Sequence, residues 1–195
     1  MMNPSRKTLF IAALFCLGKL NAQYTVWENY TNGSTIQCIA ASDSFVWAGT
    51  SAGLVKINKL SGSTFFYNKA NSLLPRNSIA DIALDTLGNL WMVCENNGIV
   101  FFDGANWNLY SPANSLLPSQ YVNCLKTDNG NNVWVGTQNG LAFFDGTNWT
   151  IYNTLNSGLP SNNVLTLDFD SNGDIRLGTI GGLVHFDGTN WTVFD

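Results

Sequence analysis

The chain is short of charge. Of its 195 residues only 11% are Asp, Glu, Lys or Arg, under half the usual share, which excludes a long charged coiled coil. Basic residues are the scarcer sign, nine against thirteen acidic ones, so no cationic footprint exists for nucleic acid or an anionic lipid surface. Histidine occurs once, at His185. That removes His-rich metal centres, and no GxSxG elbow accompanies it to build a Ser-His-Asp arrangement. Cysteine is sparse at four, with no CxxC spacing to start a tetrahedral zinc site. No run of eighteen uninterrupted apolar residues occurs, and no window holds helical periodicity for long. What is abundant is apolar and aromatic surface, 45% and 13% of residues, enough for a core and too much for disorder by composition.

Residues 1–22 read as an export signal. Arg6 and Lys7 supply its positive start, Thr8 to Gly18 an apolar stretch too short to span a bilayer, and Ala22 a small residue at the cleavage point. Cys16 follows bulky Phe15, which disfavours lipoprotein processing. The remainder is expected to be exported, periplasmic or secreted, with no stable membrane insertion. Its Cys38, Cys94 and Cys124 are odd in number and fall in apolar strand patterns, so they read as buried single thiols.

Self-similarity dominates the rest. FDGANW ends at Trp107 and FDGTNW ends at Trp149 and Trp191, spaced by 42 residues. LLP ends at Pro75 and Pro118, and GLP at Pro160. Each unit holds four short strand patterns separated by turn chemistry. In the last, VLTLDFD (164–170) ends at Ser171-Asn172-Gly173, IRLGT (175–179) turns at Gly181-Gly182 into LVHF (183–186), and Asp187-Gly188 leads to WTVF (191–194). Four antiparallel strands per 42–45 residues is the arithmetic of a β-propeller blade. One sheet cannot bury both of its faces, whereas stacking around an axis covers both, with Trp and Phe filling the wedge toward the rim. The expected fold is all-β, with blades at about 31–70, 71–113, 114–156 and 157–195 and an extra outer strand at 24–30. Five outer-strand patterns against four inner triplets leave two arrangements, a closed small ring or an open arc of a larger propeller.

The strings NNVLTLDFDSNGDIRLGTIGGLVHFDG and NNVWVGTQNGLAFFDG resemble the two-component regulator propeller repeat, whose core reads roughly V-x-x-I-x-x-D-x-x-G-x-x-W-x-G-T-x-x-G-L. The resemblance runs from about Thr35 to Asp195. It is weaker before Asn71, where INKLSGSTF replaces the FDGTNW turn. Cys94-Glu95 stands where Gly-Thr is expected, and Arg176 replaces Trp. Large members of the family form periplasmic sensor propellers ahead of a membrane helix and a histidine kinase, so the resemblance implies a sensing or binding propeller.

Asp168-Phe169-Asp170-Ser171-Asn172-Gly173-Asp174 begins like a calcium loop, but Thr179 stands where the bidentate Glu belongs, and a hairpin turn already explains it. His185 shares its repeat position with Lys56, Phe101 and Phe143, which marks a strand-surface place. Cys38, Asp81, Cys124 and Thr166 share a position on the four innermost strands, near the axis or the seam between blades. The segments between blades (Pro75-Arg76-Asn77-Ser78, Pro118-Ser119-Gln120-Tyr121, Pro160-Ser161-Asn162-Asn163) are expected on one rim face with the Gly-rich turns. Candidate ligand-facing residues are Arg76, Asn77, Asp81, Gln120, Tyr121, Asn162 and Arg176. No catalytic, cofactor-binding or metal-binding residue is assigned, and no cofactor is expected.

These observations lead to an exported, non-enzymatic binding module for an extracellular glycan, peptide or protein, with self-association through open blade faces as a further expectation. The sensor portion of a truncated hybrid histidine kinase is the alternative. A secreted lyase acting on polysaccharide or glycopeptide is third: it predicts clustered His, Tyr or paired acids facing the axis, and a single histidine argues against it.

Overall fold

The computed structural model describes residues 34–194. The segment read as an export signal and the strand pattern expected at 24–30 lie outside the described residues. Four sheets follow one another, each a meander whose spatial order is its chain order. Blade one is β1 (Ile36–Ala41), β2 (Phe45–Thr50), β3 (Gly53–Asn58) and β4 (Thr64–Tyr67). Blade two is β5 (Ile79–Leu84), β6 (Leu90–Cys94), β7 (Gly98–Phe102) and β8 (Trp107–Tyr110). Blade three is β9 (Val122–Thr127), β10 (Val133–Thr137), β11 (Gly140–Phe144) and β12 (Trp149–Tyr152). Blade four is β13 (Val164–Phe169), β14 (Ile175–Thr179), β15 (Gly182–Phe186) and β16 (Trp191–Phe194).

Local chemistry sets these strands. In each FDG turn the aspartate folds back on its own backbone: the Asp145 carboxylate accepts the Thr147 and Asn148 amides at 2.8 and 2.6 Å, an Asx turn that fixes the hairpin. The Gly-Thr step has its own purpose. Buried Thr137 donates its hydroxyl to the Gly140 carbonyl at 2.8 Å and accepts the Asn139 amide at 3.0 Å, which closes the tight turn between β10 and β11. Thr50 and Thr179 do the same in blades one and four. Blade two has Cys94 in that place and turns differently, with Asn96 at φ 57° and the Asn97 amide donated to the Cys94 carbonyl. Gly98, at φ 86°, must be glycine, because a β-carbon there would lie 2.2 Å from the Tyr110 carbonyl oxygen.

Blades stack face to face. The first strand of each sheet packs on the first strand of the next, β1 on β5, β5 on β9 and β9 on β13, so these four form the inner edge. Toward the rim each seam is filled by the same four aromatics, a Trp and Tyr from one blade and a Phe and Trp from the next. The sets are Trp47, Tyr67, Phe102 and Trp107, then Trp91, Tyr110, Phe144 and Trp149, then Trp134, Tyr152, Phe186 and Trp191. Each Phe lies flat on its Trp at 4.0–4.6 Å between centroids, and each Tyr meets both rings. Such pairs contribute about 0.5–1.5 kcal/mol beyond their buried area. Bulk at the rim against Cys, Ala and Gly inside makes a wedge.

Among the described residues the sheets do not close on one another: contacts run between successive blades, and β1 is not packed on β13. The four-blade ring is thereby excluded in favour of the open arc. Three seams of this taper turn the chain through part of a circle only.

Candidate functional site

Each inter-blade segment runs along the strand-two to strand-three turns. The Gly98 amide donates to the Gln120 carbonyl at 3.1 Å and the Gly140 amide to the Asn162 carbonyl at 2.7 Å. Glu95, Gln138 and Ile180 donate to Ser78, Tyr121 and Asn163 in the same way. These bonds hold segments and turns together on one end of the arc, and this face carries Arg76, Asn77, Gln120, Tyr121 and Asn162.

The five are not equivalent. Asn77 accepts the Lys69 amide through Oδ1 at 2.9 Å, and Asn162 accepts the Thr154 amide through Oδ1 at 2.8 Å. Both carboxamides therefore brace the loop that leaves the preceding outer strand. Gln120 holds the same repeat position, but the residue facing it in that loop is Pro112, which has no N–H to give. Its side chain is exposed and makes no bond among the described residues. Tyr121 beside it is 45% exposed, and Arg76 is exposed without an acidic partner.

Asp81 lies in the seam. One carboxylate oxygen accepts the Leu125 amide of the next blade at 3.0 Å and the other accepts the Ile82 amide at 2.9 Å. Burial raises its pKa above the ordinary value despite those bonds. Its repeat mates behave alike: the Cys38 thiol donates to the Ile79 carbonyl at 3.7 Å, and burial, reinforced by the Asp81 charge, pushes the thiols of Cys38 and Cys124 up to about 12. Cys94 reaches about 12 by burial. These groups join neighbouring blades, and thiols so protonated are poor nucleophiles.

Arg176 sits at the opposite end of its strand from the inter-blade face, beside the β13–β14 hairpin. Its guanidinium donates to Asp170 Oδ2 at 2.9 Å. It thus takes over from Trp134, whose indole Nε1 donates to the matching Asp128 at 3.2 Å, whereas the Trp91 Nε1 is buried without a partner. One strand over, His185 Nε2 lies 3.0 Å from Asp174 Oδ2, a pair across the sheet that linear spacing did not reveal. Asp170, Asp174 and His185 hold their ligand-type atoms within 4.8 Å of one another, yet the Arg176 cation already occupies Asp170, and a cation so placed opposes a second one.

Two depressions lie along the seams. A shallow rim groove of about 530 Å³ is bordered by Tyr110, Asn114, Leu116, Phe144 and Trp149. A smaller one of about 280 Å³ lies between blades three and four, against Trp134, Phe169 and Phe186. The sequence reading assigned neither; the signal for the first is the paired leucine of LLP, whose first member, Leu116, is 66% exposed while Leu117 is buried.

Fold and site together define an open array of β-propeller blades with one polar face of connecting loops. Residues 116–139, spanning the Leu117 linker to the β10–β11 turn, match the two component regulator propeller family. That stretch is similar to the propeller repeat that the motifs implied. Among solved structures it is similar to the extracellular domain of a hybrid two component system protein from B. thetaiotaomicron, at 20% identity and TM-score 0.74, over 83% of this chain and 23% of that one. A one component system domain from the same organism matches at 22% identity and TM-score 0.67, over 82% and 22%. Virginiamycin B lyase from Staphylococcus aureus matches at 16% identity and TM-score 0.67, over 87% and 58%. The chain spans less than a quarter of the length of the two B. thetaiotaomicron structures. No curated protein matches it. Among the described residues no helix is long and apolar enough to cross a membrane.

Proposed function

We propose that the chain is an exported binding module whose recognition surface is the inter-blade face, centred on Gln120 and Tyr121 with Arg76 beside them. The observation that carries this reading is the contrast at one repeat position: Asn77 and Asn162 are consumed by backbone amides, while Gln120, opposite Pro112, is free. A carboxamide that donates and accepts, an exposed phenol ring and a cation suit the hydroxyls and ring faces of a glycan or the backbone of an extended peptide. Recognition proceeds without covalent chemistry. His185 is tied to Asp174, Cys94 and Cys124 are buried, and Cys38 is part-buried.

Amide-resolved NMR titration with a panel of oligosaccharides and extended peptides tests the reading. Shifts are expected to cluster at 75–78, 118–121 and 160–163 and to vanish in Gln120→Ala/Tyr121→Ala. Shifts confined to the rim groove or the inner edge would reject it. The likeness to the extracellular domain of a hybrid two component system protein supports a second reading, in which the module senses its ligand for a kinase. Co-purification with a membrane-bound kinase, lost in the same double variant, distinguishes it from a free-standing binder.

A further inference from the structure

The three junctions between blades are not tied alike on the inter-blade face. The ladder register steps past Gln37, Ala80 and Asn123, the second residues of β1, β5 and β9, so each stands in a bulge. Two of them reach the next blade. Gln37 Oε1 accepts the Ser78 hydroxyl at 3.3 Å, and Asn123 Nδ2 donates to Asn163 Oδ1 at 2.9 Å and to the Val164 carbonyl at 2.7 Å. At the middle junction, which has a described blade on either side, the same two places hold Ala80 and Tyr121. Alanine has no group to offer across the junction, and the Tyr121 ring stays exposed.

The adjoining turn departs as well. Cys94 pairs with Gly98, whereas Thr50, Thr137 and Thr179 pair with Gly53, Gly140 and Gly182, one residue nearer. This longer turn carries Glu95 and is held between two segments. The Glu95 amide donates to the Ser78 carbonyl at 3.2 Å, and the Gly98 amide to the Gln120 carbonyl at 3.1 Å. In the segments 75–78, 118–121 and 160–163 and the turns 50–53, 94–98, 137–140 and 179–182, Arg76 and Glu95 are the only charged residues. Both are exposed, and neither enters an ion pair among the described residues.

Resting on the reading of this face as a recognition surface, we infer that its ligand is an extended peptide with a basic side chain at the junction of blades two and three, against Glu95 and the Tyr121 ring. The carboxylate supplies a charge-assisted acceptor and the ring a π face for the cation. Gln120 offers a donor and an acceptor to the peptide backbone. Arg76, on the segment across the turn from Gln120, suits an acidic residue of the same peptide. A neutral glycan would meet Gln120 and Tyr121 but leave both charges of the face without a counterpart.

An array of short end-blocked peptides, each lysine sequence matched by its norleucine counterpart, tests this on the folded chain at low salt. Lysine peptides should bind about fivefold more tightly, as one ion pair with a cation–π contact allows, and should shift the amides of 95–98 and 118–121. The preference should disappear in Glu95→Gln and pass to glutamate peptides in Glu95→Lys. Peptides that bind this face without preferring lysine, or whose preference survives Glu95→Gln, would overturn the inference and leave the recognition surface standing. Oligosaccharides that shift these amides where peptides do not would have the same effect. A face that answers no probe would reject both.

Discussion

Blades three and four share a backbone and differ in what they offer their outward neighbour. Blade three meets blade four with Trp134, Phe143 and Tyr152, and the contact buries Leu141 and Val164 completely. Blade four carries Arg176, His185 and Phe194 in the equivalent places. Strand register is identical in the two, residue for residue, so the sheet itself does not require a neighbour. Hairpin turns and ladder bonds build a blade; aromatic faces join blades.

The comparison breaks first at the tryptophan. Trp134→Ala should cost about 3–5 kcal/mol of stability in urea denaturation, the usual loss for a large buried aromatic, whereas Arg176→Ala at the matching position should cost no more than about 1 kcal/mol, as for a partly exposed ion pair. Equal losses would mean that blade four's face is part of the packed array. Asp81→Ala comes next, at about 1–3 kcal/mol, because the Leu125 amide loses its acceptor across a seam. Below that stands the loop contrast: Asn162→Ala should lose about 1 kcal/mol with its bond to Thr154, and Gln120→Ala should leave the melting temperature unchanged.

A smaller effect appears in acid. The Asp187 carboxyl is lowered from 3.8 to about 2, chiefly by the Asn190 amide and then by the Asn190 side chain. Asp103 and Asp145 are lowered in the same kind of turn. Their contribution is complete above the ordinary carboxylate pKa and is lost as pH falls through the lowered value. Asp81 runs the other way: burial raises it, so its contribution is complete at low pH and declines as pH rises through the raised value. Thermal melts between pH 5 and 2 should fall less steeply in Asp187→Asn than in the unaltered protein. Cys94 and Cys124, both buried, should resist a disulfide reagent at pH 8 until the chain unfolds, and rapid native labelling would contradict their burial.

Much of this molecule was written locally. Asp145 reaches amides two and three residues away, and Thr137 a carbonyl three residues away, so the repeated strings announced their turns and the strands between them. The aromatic wedge followed from the 42-residue spacing once stacking was assumed. The site was less legible, because its side chains are sorted by partners that composition does not name. Asn77, Gln120 and Asn162 look interchangeable in sequence; the bracing amides of Lys69 and Thr154 separate them, and Pro112 was the one printed sign that Gln120 differs. Arg176 was grouped with the loop residues although its strand position sets it beside the opposite turns. The pairing of His185 with Asp174 depends on cross-strand register and had no signature in spacing.

The seam quartets have an optical consequence. Six indoles of the described chain fall two to a seam, each with a phenol or benzyl ring 4.0–6.3 Å away between centroids, so their transitions couple and their emission depends on whether the blades are in register. Replacing one pair at a time with phenylalanine would let each joint be watched separately by near-ultraviolet dichroism, and the arc would report by its own chromophores which joint loosens first on heating.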